Sequence, residues 1–110
     1  MNLKRGDIVI CILSGDYGKP RPAVVVQSDL FNSSHASVTV CPITSYLVDA
    51  PLFRLELKPA TTNGLVSASQ IMVDKLTAIK IEKITQQIGK LTTLEIKHLD
   101  VAMKLWLGIG

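Results

Sequence analysis

The chain has 110 residues and a formal net charge of +3, with 47% hydrophobic and 19% charged residues. This is one small globular domain, not a disordered chain, and its charge favours a polyanionic partner. Aromatic residues at 5% argue against an extended stacking platform for single strands. Apolar runs such as 8–13 fall far short of the ~20 residues of a bilayer-crossing helix.

The first strand is predicted at 8–13, where Ile-Val-Ile-Cys-Ile-Leu is β-branched and continuous, as in a strand buried on both faces. Two Gly and two Pro in the segment 14–22 then forbid regular structure. A second strand follows at 23–27, then a polar turn with a single helical turn around Leu30 and Phe31. Residues 37–41 alternate polar and apolar, which gives that strand one wet face. Pro42 is expected to end it and open a loop that runs to Pro51. Residues 53–57 alternate again, with Arg54 and Glu56 pointing outward. After the breakers at 59–64, two more short strands are expected at 65–72 and 76–81.

The ending changes period. Thr92 and Glu95 have the spacing of a capping box, and Gly108 is a natural stop, so a helix is predicted over about 93–107. At about 100° per residue, Ile96, Leu99, Met103, Trp106 and Leu107 share the face that packs on the sheet. Leu94, Val101 and Leu105 form a second apolar ridge on nearly the opposite side, which points to a contact between two copies of the chain. The two cysteines, Cys11 and Cys41, lie inside apolar strands with no metal-ligand spacing. They read as small buried hydrophobes of a reducing compartment, and the start of the chain lacks a signal-peptide apolar region, so a cytoplasmic protein is expected. The pattern is mainly β with α (α+β): a small twisted barrel or half-open sheet closed by a C-terminal helix. Periodicity alone leaves an SH3-like and an OB-like barrel both open.

Several segments narrow this. Arg5-Gly6-Asp7-Ile8-Val9, Lys19-Pro20-Arg21-Pro22-Ala23-Val24-Val25-Val26-Gln27-Ser28 and Pro42-Ile43-Thr44-Ser45 resemble the MazF/PemK toxins. So do Ser69-Gln70-Ile71-Met72-Val73-Asp74-Lys75, Ile88-Gly89-Lys90-Leu91 and Leu105-Trp106-Leu107-Gly108, in the family's order. The resemblance covers nearly the whole chain as a single toxin domain over 1–110. It implies an SH3-like barrel with a C-terminal helix, acting as a homodimer. It also implies a metal-independent, sequence-specific endoribonuclease that cuts single-stranded RNA, chiefly mRNA. Such toxins are held inactive by a cognate antitoxin whose flexible acidic tail occupies the RNA groove.

The residues themselves favour chemistry without a metal or cofactor, because the sequence holds no HExxH, no carboxylate cluster and no phosphate-cradling Gly-rich loop. Metal-free RNA cleavage uses the substrate's own 2′-hydroxyl as nucleophile and leaves a 2′,3′-cyclic phosphate and a 5′-hydroxyl. It requires a proton acceptor, charge stabilisation at the phosphoryl oxygens and a proton for the leaving group. Arg21 is the first catalytic candidate: its planar fork can hold two phosphoryl oxygens, and it matches the family's catalytic Arg in the K-x-R-P motif. The alternative is an Arg paired with Asp7 or Asp16 to staple a loop. Thr44 is the second, at the family's Pro-x-Thr-Ser position, where ordinary turn chemistry is the competing reading. Ser45, Lys19, Tyr17 as a stacking surface and Gln70 as a base reader are the substrate-contact candidates.

The general base is left open. Arg is a poor proton acceptor, and neither His35 nor His98 falls on a family motif. Some family members carry an Arg at the position of Met72, which Met cannot replace. Asp74 and Lys75 lie beside it, but strand alternation sends neighbours to opposite faces, away from one shared site. Two other classes compete. A CcdB-like gyrase poison shares the barrel and a Trp-Gly-Ile tail, whereas here an extra Leu gives Trp106-Leu107-Gly108-Ile109-Gly110. A non-catalytic SH3-like binding module would explain the barrel and the charge but not Arg21 and Thr44 in their setting.

Overall fold

Continuous apolar stretches need protein on both faces, and those within the first three strands have it. In the computed structural model, which describes residues 2–110, β1 is Asp7–Ile12, β2 is Pro20–Val25 and β3 is Ser37–Thr44. Along each, alternate residues enter two separate clusters. Ile8, Val24, Val26, Cys41 and Ile43 pack beneath the C-terminal helix. Val9, Cys11, Ala23, Val25, Val38 and Val40 pack on the opposite side with Leu3, Leu13, Ile79 and Ile84. The period-2 geometry of a strand divides one apolar run between two cores.

The remaining strands are β4 Arg54–Leu57, β5 Ser69–Met72, β6 Thr77–Lys80 and β7 Ile84–Lys90. All pairings are antiparallel, in the order β4-β5-β3-β2-β1-β7, with β6 also on β3. The architecture is the expected mainly β fold with a C-terminal helix, and of the two forms expected it takes the half-open one, since its ends, β4 and β7, are not paired with each other.

The expected end of β3 at Pro42 is corrected. The strand continues to Thr44, pairing with β6 over Ser37–Val40 and with β5 over Ile43–Thr44. Pro42 falls in the gap between those two ladders, where a missing N–H is tolerated. The strand expected at 65–72 is ordered as one only from Ser69, and 65–68 form a loop. The sequence gives no sign of β7, because Thr85, Gln86 and Gln87 show no alternation, and all three are exposed. Register with β1, bulged at two places, holds it in the sheet.

A four-residue helix α1 (Asp29–Asn32) follows β2, and α2 spans Thr93–Leu107. Both halves of the Thr92–Glu95 capping box are formed, and Gly108 closes α2 at φ 71°. Leu99 and Ala102 are buried beneath it, Ile96 and Met103 pack alongside, and Trp106 lies against Phe53 with ring centroids 5.3 Å apart. Arg5 ties the N-terminal segment to α2 through Asp100 at 2.8 Å and to the residue after β2 through the Val26 carbonyl at 2.8 Å. Gly6, at φ 94°, is needed there: a Cβ would sit 2.8 Å from Ile96 Cδ1.

The second apolar ridge is left uncovered: Leu94, Val101 and Leu105 are each at least 60% exposed. With Val48, Pro51, Leu52 and Leu55 the latter two line an apolar groove beside α2. Arg54 does not point outward as expected. Its guanidinium is bound to Asp74 at 2.7 and 3.0 Å, while Glu56 is exposed. Among the described residues no helix is long and apolar enough to cross a membrane.

Candidate active site

The loop between β1 and β2 decides where the reactive groups stand. Tyr17, at φ 54°, and Gly18, at φ 79°, turn the chain sharply enough for the Lys19 N–H to donate to the Asp16 carbonyl at 3.0 Å. The turn folds the Asp16 carboxylate back over the start of β2. There Arg21 Nε donates to Oδ2 at 2.8 Å and Nη2 to Oδ1 at 3.4 Å, while Nη1 donates to the Ile43 carbonyl at 3.4 Å. Each terminal nitrogen keeps a second N–H for another acceptor. Pro20 and Pro22 restrain the backbone on either side of this side chain.

Thr44 ends β3 close by. Its Oγ1 accepts the Tyr46 N–H at 3.1 Å, the turn chemistry expected after a strand. That bond uses an acceptor lone pair and leaves the hydroxyl proton to donate elsewhere. Arg21, Asp16 and Thr44 line two cavities at once. One, of about 380 Å3, includes Lys19, Ser45, Leu65, Val66 and Ser67. The other, of about 440 Å3, includes Leu13, Pro42, Met72, Lys75 and Thr77. The three residues form the saddle between them.

Four of the six predicted site residues are thus brought together: Arg21, Thr44, Ser45 and Lys19. Tyr17 is 97% exposed and lines neither cavity. Gln70 is only 2% exposed, and its carboxamide is engaged at both ends with the backbone of Val48, accepting at 3.1 Å and donating at 2.8 Å. Opposite Thr44 in the β3–β5 ladder, it braces the loop after Thr44 instead of facing the cleft as a base reader. His98 lies by the apolar groove along α2, and neither histidine lines the saddle.

Asp16 is expected from the sequence only as a staple for Arg21, and it makes that ion pair at 2.8 Å. It is the sole carboxylate lining either cavity among the described residues. The signal was an acid placed five residues before Arg21 in a glycine-bearing loop. Asp74 and Lys75 part company as expected, but the cause is not strand alternation. A 3-10 turn over Val73–Lys75 interrupts the strand alternation, so Lys75 reaches the cleft while Asp74 turns to Arg54.

The groups of the saddle match the demands of phosphodiester chemistry: a cationic fork, a hydroxyl donor and a carboxylate in one open cleft. Fold and cleft together describe a small β protein whose open cleft carries groups suited to a phosphodiester backbone. Residues 4–107 match the family described as PemK-like, MazF-like toxin of type II toxin-antitoxin system. The chain is 39% identical over 109 residues to "Probable endoribonuclease MazF" of Mycolicibacterium smegmatis, covering 98% of this chain and 99% of that protein. It is 33% identical over 94 residues to "Endoribonuclease MazF9" of Mycobacterium tuberculosis, covering 81% and 79%. The solved toxin MazF-mt6 of Mycobacterium tuberculosis superposes with a TM-score of 0.82 at 23% identity, covering 94% of this chain and 98% of that one. A mycobacterial endoribonuclease solved with its cognate antitoxin gives 0.82 at 18%, covering 98% and 97%. The chain belongs to the PemK-like, MazF-like toxin family of type II toxin–antitoxin systems.

Proposed function

We propose that Arg21, Asp16 and Thr44 are the machinery with which this toxin, an endoribonuclease like its curated relatives, cuts single-stranded RNA. The observation that carries the reading is the three-residue saddle shared by two solvent-open cavities. The free N–H groups of Arg21 hold the phosphoryl oxygens, and the Thr44 hydroxyl donates to one of them. Asp16 accepts the proton of the substrate's 2′-hydroxyl as it attacks the adjacent phosphorus. The 5′-oxygen leaves and takes a proton from solvent, giving 2′,3′-cyclic phosphate and 5′-hydroxyl ends. No step calls for a metal or cofactor: the cavities offer one carboxylate, and a hard cation prefers several oxygen ligands. Lys19 and Ser45 contact the substrate beside the cut, with mRNA the principal target at specific sequences.

The same reading makes the chain one toxin domain over 1–110, working in the cytoplasm as a homodimer through the uncovered ridge of α2. Its partner is a cognate antitoxin, as in the toxin–antitoxin pairs solved for this fold, and a flexible acidic segment of that antitoxin would complement the unpaired Lys19 and Lys75 of the cleft. A non-catalytic binding module would leave the convergence of Asp16, Arg21 and Thr44 unexplained, and the family matched is that of the MazF-like toxins, not a CcdB-like gyrase poison.

The test is incubation of the antitoxin-free protein with a long RNA in EDTA. Discrete cuts are expected, slowed about 10²–10³-fold in Arg21→Ala, the effect of removing one oxyanion-type donor. Intact RNA from a folded protein, or a variant within about threefold of the parent, would count against the reading.

A further inference from the structure

We propose that the cavity on the Lys75 side of Arg21 seats the nucleotide next to the cut, with the Lys75 ammonium on a backbone phosphate of the RNA. This rests on the RNA-cleaving reading above and adds a substrate-binding residue to it.

Three observations place Lys75 in this role. Its cavity, about 440 Å3, is continuous with the catalytic saddle, because Arg21, Asp16 and Thr44 line it too. A chain bound across the saddle must enter this space on leaving the other cavity. Next, the ammonium has no carboxylate partner. The ion pairs among the described residues are Arg5–Asp100, Arg21–Asp16 and Arg54–Asp74, so the neighbouring Asp74 is already engaged at 2.7 and 3.0 Å. Arg21 is partly neutralised by Asp16, which leaves Lys75 as the unpaired positive charge on this side and Lys19 on the other.

The cavity's composition also suits a nucleotide. Leu13, Pro42, Met72 and Ile79 make an apolar floor for a base, while Lys75 and Thr77 stand where a phosphate or ribose hydroxyl needs a donor. The 3-10 turn at Val73–Lys75 fixes the arrangement by burying Val73 in the core and turning Asp74 to Arg54. Lysine then serves as a point charge on a flexible stem, gripping a phosphate without reading sequence.

The experiment is binding of a short, fluorescently labelled 2′-O-methyl RNA pool of randomised sequence, which the protein cannot cut, across a salt series. Lys75→Ala should weaken binding about 3–10-fold at low salt and lower the slope of log K against log salt by ~0.7, the loss of one phosphate contact. Lys75→Arg should restore both, and Lys97→Ala on the exposed face of α2 should alter neither. Binding and slope of Lys75→Ala equal to the parent, or an equal loss in Lys97→Ala, would overturn the inference. The RNA-cleaving reading fails separately, on unmodified RNA left uncut by the parent protein. A parent that binds no RNA would remove both.

Discussion

Replacing Asp16 with Asn separates two roles that the geometry allows for the carboxylate. As a staple, Asp16 holds Arg21 through contacts of 2.8 and 3.4 Å, with the two side chains 31% and 23% exposed. Partly solvated pairs of this kind contribute about 1 kcal/mol or less. For a domain of this size that is a melting shift of about 4 °C. The backbone bonds that shape the loop, Asp16 N–H to the Leu13 carbonyl and Lys19 N–H to the Asp16 carbonyl, survive the change. As proton acceptor, however, the carboxylate is needed in the chemical step. Its loss should lower kcat about 10²–10⁴-fold, or about 2.7–5.4 kcal/mol at ~1.36 kcal/mol per tenfold. Freeing Arg21 from its partner should leave KM unchanged or lower it. Single-turnover cleavage of a defined RNA, with calorimetry on the same sample, measures both effects. A folded Asp16→Asn protein whose kcat lies within about threefold of the parent would refute the acceptor role and leave Asp16 a staple.

Three further outcomes follow from the fold. Hydrogen bonds from Arg54 hold Asp74 below the ordinary carboxylate value of 3.8. The stability it contributes is therefore present above that value and lost as pH falls through the lower folded one. Asp74→Ala should cost about 2 kcal/mol near neutrality, between exposed and buried pairs, and denaturant curves of parent and variant should converge at acid pH; a constant difference would contradict the assignment. Burial pushes the Cys11 thiol up to about 11 and that of Cys41 up to about 12, so neither should react with a thiol reagent at pH 8 until the chain unfolds. Prompt native-state modification would mean the core opens. Leu105→Glu puts a charge on the uncovered ridge of α2, 60% exposed in one copy. Light scattering should give a dimer for the parent and a monomer for the variant, and a monomeric parent would remove the ridge as an interface.

The legible parts of this fold were those written locally. The β-branched run of β1, the Ala23–Val25 half of β2 and the Thr92–Glu95 box of α2 state their conformation within a few residues, whereas Pro20, Arg21 and Pro22, expected to be irregular, begin β2 because they pair with Ile10–Ile12 of β1. What escaped depends on distant partners. The polar residues Thr85, Gln86 and Gln87 become a strand because β1 offers an edge, and Pro42 is tolerated because β3 changes neighbours there. The site divides the same way. Arg21 and Thr44 stand in recognisable motifs, whereas the position of Asp16 depends on a turn with a left-handed Tyr17. Gln70 and Lys75 depart from their expected places for two different reasons. Strand alternation stops where β5 gives way to a 3-10 turn, which brings Lys75 to the cleft, whereas Gln70, inside β5, is drawn inward by the Val48 backbone.

The central claim, attack by the substrate's own 2′-hydroxyl, is tested most directly with an RNA carrying a mapped cut site and a single 2′-deoxy substitution at the nucleotide 5′ to the break, incubated in EDTA. The account predicts that the unmodified RNA is cut to 2′,3′-cyclic phosphate and 5′-hydroxyl ends, and that the substituted RNA stays intact at that position. Cleavage of the deoxy-substituted RNA, or 5′-phosphate ends on the natural one, would contradict it and assign the attack to water.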